Sequence, residues 1–195
     1  MDVTAYTDGA CAGNPGPGGW AWAVDGGPQV SGSERQSTNQ RREVWAVLDA
    51  LTTLLPLCDR VTIVSDSTYV VNCFRDKWWA GWIRRGWKNS QRQPVANQDL
   101  WKPLVELYRE NEACISFRWV KGHSGDRMND TVDRLAVLAG QRQAGRVAEG
   151  LPSALSSPSS PLSAETSGSQ PSGGFVPDHA AMSGGISVAA RSLFD

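Results

Sequence analysis

Long apolar runs are missing from this 195-residue chain, so no segment approaches the roughly 20 residues that a helix needs to cross a bilayer, and membrane insertion is excluded. No secretory apolar core follows the opening Met-Asp-Val-Thr either. Cysteine is sparse: Cys11, Cys58, Cys73 and Cys114 form no C-x-x-C pair, and reduced thiols in a cytosolic protein are the expectation. Histidine is rarer still, with only His123 and His179. Net charge is almost absent, since 19 Lys and Arg stand against 20 Asp and Glu. No overall charge therefore points to a partner, and only its distribution can.

Tryptophan is abundant, and all nine residues lie between Trp20 and Trp119. After Gly150 the composition turns to Ser, Pro, Gly and Ala, which offer little surface to bury. This shift predicts a folded domain over 1–144 and a low-complexity, disordered C-terminal extension over 145–195. Within the domain, Arg75, Lys77, Arg84, Arg85, Lys88 and Arg92 face only Asp76 as a counter-charge in their stretch. A solvated helix face is the ordinary reading of such a run. The alternative is a grip for a polyanion beside carboxylates held elsewhere.

Val3 to Thr7 alternate as a strand does, and Gly13-Asn14-Pro15-Gly16-Pro17-Gly18-Gly19 predicts a loop before a second strand at Trp20 to Val24. Gly26-Gly27-Pro28 predicts a hairpin turn. Thr38 or Asn39 can cap a helix in which Val44, Val47, Leu48, Leu51 and Leu55 recur at helical spacing until Pro56. Val61 to Val64 form a short strand ending at Asp66, with a helix from about Ser67. A helix from about Gln98 to Arg109, a strand from Ile115 to Val120 and a helix from about Met128 to Ala139 complete a mixed α/β pattern.

Four acids, Asp8, Glu43, Asp66 and Asp133, fall where strands and helices can turn a carboxylate inward. Singly, each reads as a turn former or helix cap. Together they could bind two divalent cations without cysteine, and Mg²⁺ suits such an oxygen-only ligand set. Without metal the crowded carboxylates would raise one another's pKa values. Asp49 and Asp130 read as ordinary exposed helix positions. His123, in the glycine-flanked Lys121-Gly122-His123-Ser124-Gly125, belongs to the residue type that exchanges protons near neutrality.

The segments Tyr6-Thr7-Asp8-Gly9-Ala10, Gly13 to Gly18, Thr38-Asn39-Gln40-Arg41-Arg42-Glu43, Ser65 to Val70, Trp82 to Lys88 and Trp119 to Gly125, in that order and spacing, closely resemble bacterial ribonuclease H type 1. The resemblance runs from Val3 to about Ala139. It implies a ribonuclease H-like mixed five-stranded sheet flanked by helices. It also implies endonucleolytic hydrolysis of the RNA strand of RNA–DNA hybrids by a two-metal mechanism, leaving 5'-phosphate and 3'-hydroxyl ends. Primers and R-loops are the implied substrates, DNA replication the context, the cytoplasm the place and a monomer the state.

By the same resemblance Asp8, Glu43, Asp66 and Asp133 become the catalytic metal ligands for two Mg²⁺ ions, with Mn²⁺ able to substitute, and His123 assists proton transfer or product departure. Asn14, Asn39 and Gln40 match minor-groove readers of the 2'-hydroxyl. Trp78, Trp82, Trp87, Arg84, Arg85 and Lys88 match a basic protrusion on the DNA strand, with Trp82 expected at the substrate more than Trp87. Thr38, Ser90 and Asn97 match a neutral pocket for a DNA phosphate. Thr68, and the Arg92, Gln93 and Ala96 end of the protrusion, depart from the family pattern.

A catalytically silent hybrid-binding module is the alternative, against which the retained acids and His123 argue. A DNA-cutting relative does not account for Asn14, Asn39 and Gln40. At the C-terminus, Ser192-Leu193-Phe194 resembles the end of peptides that dock on bacterial sliding clamps, with Ala190 where glutamine is usual. A replication-protein contact through this tail is the corresponding expectation.

Overall fold

A computed structural model describes residues 1–152. The strands are β1 (Asp2–Cys11), β2 (Gly16–Val24), β3 (Gln29–Ser37), β4 (Arg60–Ser65), β5 (Ile115–Trp119) and β6 (Val147–Glu149). The helices are α1 (Asn39–Leu54), α2 (Thr68–Arg75), α3 (Trp78–Arg84), α4 (Gln98–Glu110) and α5 (Arg127–Arg142). One sheet runs in the order β5-β4-β1-β2-β3-β6. Its β1-β4 and β4-β5 pairs are parallel and the others antiparallel. Among the described residues no helix is long and apolar enough to cross a membrane.

Strand alternation divides the sheet's two faces between two cores. Ala5, Trp20, Trp22, Val30 and Ile63 join Val44, Val47, Leu48 and Leu51 of α1 in the larger core, which Leu100, Trp101 and Leu104 of α4 extend. Ala21 and Ala23 meet Met128, Val132 and Ala136 of α5 in the smaller one, with Tyr6 and Ala10 packed against it. β1 therefore lies between two helices, and its C-terminal half is where both approach.

The sheet has six strands where five were expected. β6 is three residues long, too short to show a period, and pairs Gln29↔Glu149, Val30↔Ala148 and Ser31↔Val147. It lies past residue 144, where composition alone placed the end of the domain, and it covers part of the β3 edge. β2 also begins earlier than expected, at Gly16, because Gly18 and Gly19 pair with Cys11 and Ala10 despite a bulge at Gly16/Gly18. The expectations for the remaining extension, including the Ser192-Leu193-Phe194 peptide, lie outside the described residues.

Asp49 is not an exposed helix position. It accepts from the Nε1 of fully buried Trp22 at 2.8 Å and from Arg146 Nε at 2.9 Å, and only 12% of its side chain is exposed. Arg146 also donates to Thr53 Oγ1 at 3.2 Å, so the segment leading into β6 is latched onto α1. Removing one partner of a nearly buried ion pair strands the other, and Arg146→Ala should cost about 3 kcal/mol. Urea unfolding should show a lower midpoint, and Asp49→Asn combined with Arg146→Ala should recover part of the loss.

Candidate active site

Tyr6, Asp8 and Ala10 share one face of β1, so alternation turns the Asp8 carboxylate toward α5 rather than to solvent. The next residue must be glycine, because a Cβ on Gly9 would lie 2.5 Å from Arg42 Cβ and 2.5 Å from the Glu43 backbone nitrogen. That close approach carries the first turn of α1, and Glu43 with it, up to the strand. The turn is set by Thr38, whose Oγ1 accepts from Arg41 N at 3.2 Å as an N-cap should. Asp66 follows β4 directly, at the C-terminal end of a parallel strand beside β1.

The three carboxylates meet: oxygen atoms of Asp8, Glu43 and Asp66 all lie within 4.8 Å of one another. Asp133, on α5, lies near enough for its charge to act on both Asp8 and Glu43. Burial pushes the Asp8 carboxyl up from 3.8 to about 7, the Asp66 and Asp133 charges add to the rise, and the Gly9 N–H, donating at 2.7 Å, opposes it. Glu43 is raised well above its ordinary value, chiefly by burial and then by Asp8, Asp66 and Asp133. Its Oε2 is enclosed and has no hydrogen-bond partner. An enclosed acceptor facing other acceptors fits an oxygen-seeking cation.

Asp66 is held from three sides. Asn129 Nδ2 donates to its Oδ2 at 3.2 Å, Trp119 Nε1 donates to its backbone carbonyl at 3.1 Å, and a Cβ on Gly122 would lie 2.5 Å from that same Oδ2. The last contact brings the loop carrying His123 against the cluster, with His123 itself exposed at φ +51. Sequence reasoning missed Asn129, which is 2% exposed. Its signal was available, because Asn129 precedes Asp133 by four residues and so shares one face of the last helix.

The other predicted residues are distributed over the neighbouring surface. Asn14, Asn39, Gln40, Arg84, Arg85, Lys88 and Ser90 are exposed, and Thr38, Trp78, Trp87 and Asn97 are half-buried. Asn97 occupies the N-cap position of α4 in the left-handed region at φ +57. Trp82 is placed differently from expectation: it is only 8% exposed and packs edge-on to Trp101 at 5.3 Å. Helical spacing in α3 puts Trp82 on the face that α4 covers. Trp87, for which packing and substrate contact were both open, keeps more of its surface, with Lys102 Nζ 5.6 Å from its ring centre.

Proton uptake at Asp8 sets a stability prediction for the metal-free protein. A carboxyl whose folded value lies above its unfolded one adds stability at low pH and loses it as pH rises through the window from about 4 to 7. Asp8→Asn removes that loss. Melting in chelator should show the mutant's advantage over wild type growing across this window to on the order of a few kcal/mol. A pH-independent difference would contradict the electrostatic account.

The sequence and fold both have close counterparts. The family model described as RNase H matches residues 1–141. The chain is 46% identical over 138 residues to the ribonuclease H of Syntrophomonas wolfei, an alignment covering 69% of this chain and 93% of that protein. It is 47% identical over 146 residues to the ribonuclease H of Nitratidesulfovibrio vulgaris strain DP4, covering 73% and 92%. Among solved structures it resembles LC9-RNase H1, a type 1 RNase H with the type 2 active-site motif, at TM-score 0.64 and 32% identity, covering 76% and 78%. On this match of sequence, fold and extent, the chain belongs to the RNase H family and is an endoribonuclease that hydrolyses the RNA strand of RNA–DNA hybrids.

Proposed function

We propose that cleavage takes place at the cluster of Asp8, Glu43, Asp66 and Asp133, by attack of water on an RNA phosphodiester, leaving a 5'-phosphate and a 3'-hydroxyl. The observation that carries this reading is the enclosed, unpartnered Glu43 Oε2 beside Asp8, whose carboxyl is pushed up by burial and by the neighbouring acids. These four residues would hold two Mg²⁺ ions, with Mn²⁺ able to replace them. When bound, the ions supply Lewis-acid activation of water and neutralisation of charge on the phosphate. A silent hybrid-binding module has no use for so costly a cluster.

The protein's own groups bind and orient the substrate. Asn14, Asn39 and Gln40 offer amide donors and acceptors to the minor groove, where a 2'-hydroxyl marks the RNA strand. Thr38 accepts from Arg41 N as a cap and still has its own hydroxyl proton to donate, which with Ser90 and Asn97 suits a DNA phosphate oxygen. Trp78, Trp87, Arg84, Arg85 and Lys88 grip the DNA strand through ring contacts and charge. Trp82 supports that surface from below, with its ring centre 6.2 Å from that of Trp87. Asn129 orients the Asp66 carboxylate, and His123 moves a proton at the edge of the cluster as product leaves.

In the cell we assign this activity to primers and R-loops in the cytoplasm, carried by a monomer. The test is a hybrid labelled separately on each strand and incubated with Mg²⁺. Wild type should cut the RNA strand only, and Asp8→Asn should lower the rate by at least about 100-fold while still binding hybrid. Cutting of the DNA strand, or equal activity in the mutant, would overturn the proposal. Binding by wild type without cutting would favour the silent module.

A further inference from the structure

A second charged network lies at the start of α1, outside the carboxylate cluster. Glu34 of β3 accepts from Arg41 Nε at 3.1 Å and also from an Arg42 guanidinium nitrogen. Arg42, fully buried, donates to Ser37 Oγ at 2.5 Å. Arg41 and Arg42 each lie over the Trp45 ring, at 5.5 and 5.3 Å from its centre. Arg41 then reaches Asp99 on α4 with two nitrogens, at 2.9 Å to Oδ1 and 2.7 Å to Oδ2. β3, α1 and α4 are thus joined through one guanidinium.

The α4 end of this link gives it meaning. Asn97 makes no side-chain cap bond there, so Asp99 is the acid of the first turn, where a carboxylate complements the helix dipole. Arg41 binds that acid in a planar, two-pronged geometry that sets direction as well as distance. On one side of the link stand Thr38, Asn39 and Gln40; on the other stands Asn97. These residues come from chain segments 58 positions apart, as measured between Arg41 and Asp99.

We infer that Arg41 and Asp99 form a positioning pair that fixes the spacing between the start of α1, with Thr38 and the minor-groove readers Asn39 and Gln40, and Asn97 at the start of α4, which completes the phosphate pocket. This inference rests on the hybrid-binding roles proposed above. A hybrid presents the two strands at a set separation across its minor groove, and a surface that touches both needs its two halves in register. Asp99 is 40% exposed and Arg41 19%, so solvent screens the pair from the Asp99 side and its contribution to global stability is modest. Its effect should appear in substrate affinity.

Steady-state cleavage of a hybrid by the full chain tests this. Asp99→Asn and Arg41→Lys should each raise KM about tenfold with kcat changed less than about twofold and the melting temperature nearly constant. Asp99→Glu, which keeps the charge, should restore most of the affinity. An unchanged KM, or a fall in kcat equal to the fall in kcat/KM, would overturn the inference. Asn39→Ala and Asn97→Ala, run alongside, separate the two levels. If they raise KM and Asp99→Asn does not, the positioning pair alone fails. If none of them moves KM, the assigned hybrid-binding surface fails with it.

Discussion

Asp8, Glu43 and Asp66 bring their oxygen atoms within 4.8 Å of one another, with Asp8 buried and the other two half-buried, and Asp133 adds a fourth charge. Like charges so placed cannot all remain ionised unless a cation joins them. The surrounding fold supplies what that arrangement costs. β1 is fixed centrally by pairing on both sides, α1 and α5 bury apolar faces against opposite sides of the sheet, and the missing side chain at Gly9 lets Glu43 come up to Asp8. A larger residue at that position would move the first turn of α1 and dissolve the cluster.

Selectivity for a hybrid requires a second property, which is that one surface addresses two chemically different strands. In the proposed function, amides at the start of α1 and a basic, tryptophan-bearing segment from α3 onward divide that task, and the buried Trp82-Trp101 contact ties the basic segment to the core. The Glu34-Arg41-Asp99 chain of ion pairs bridges the helix starts. The proposed catalysis and recognition would share the first turn of α1, where Thr38 caps the helix, Arg41 bridges and Glu43 faces the acids. A shift of that turn would disturb all three together.

Most of this was legible where the information is local. The alternation of Val3 to Asp8 and the 3.6-residue spacing from Val44 to Leu55 marked the central strand and helix, and the motifs singled out Asp8, Glu43 and Asp66, which the fold brings together. What escaped was set by distant partners. Asp49 reads as exposed until Trp22 and Arg146 reach it across the fold. Trp82 reads as a surface aromatic until α4 covers it, and β6 has too few residues to announce a period. Asn129 reads as an ordinary helix amide, although its four-residue offset from Asp133 already puts it on the same face of the last helix, where it reaches Asp66.

Burial and mutual repulsion favour protons on the acid cluster, and a divalent cation would have to displace them. Metal binding to carboxylates that are partly protonated releases those protons. Unbuffered protein held in a pH-stat at about pH 6.5 and titrated with MgCl₂ measures this directly. About one proton per chain should be released, less as the starting pH rises above about 7 and much less from Asp8→Asn. Saturable metal binding with no proton release at that pH would mean that the acids are already ionised, and that crowding is not what shapes the site.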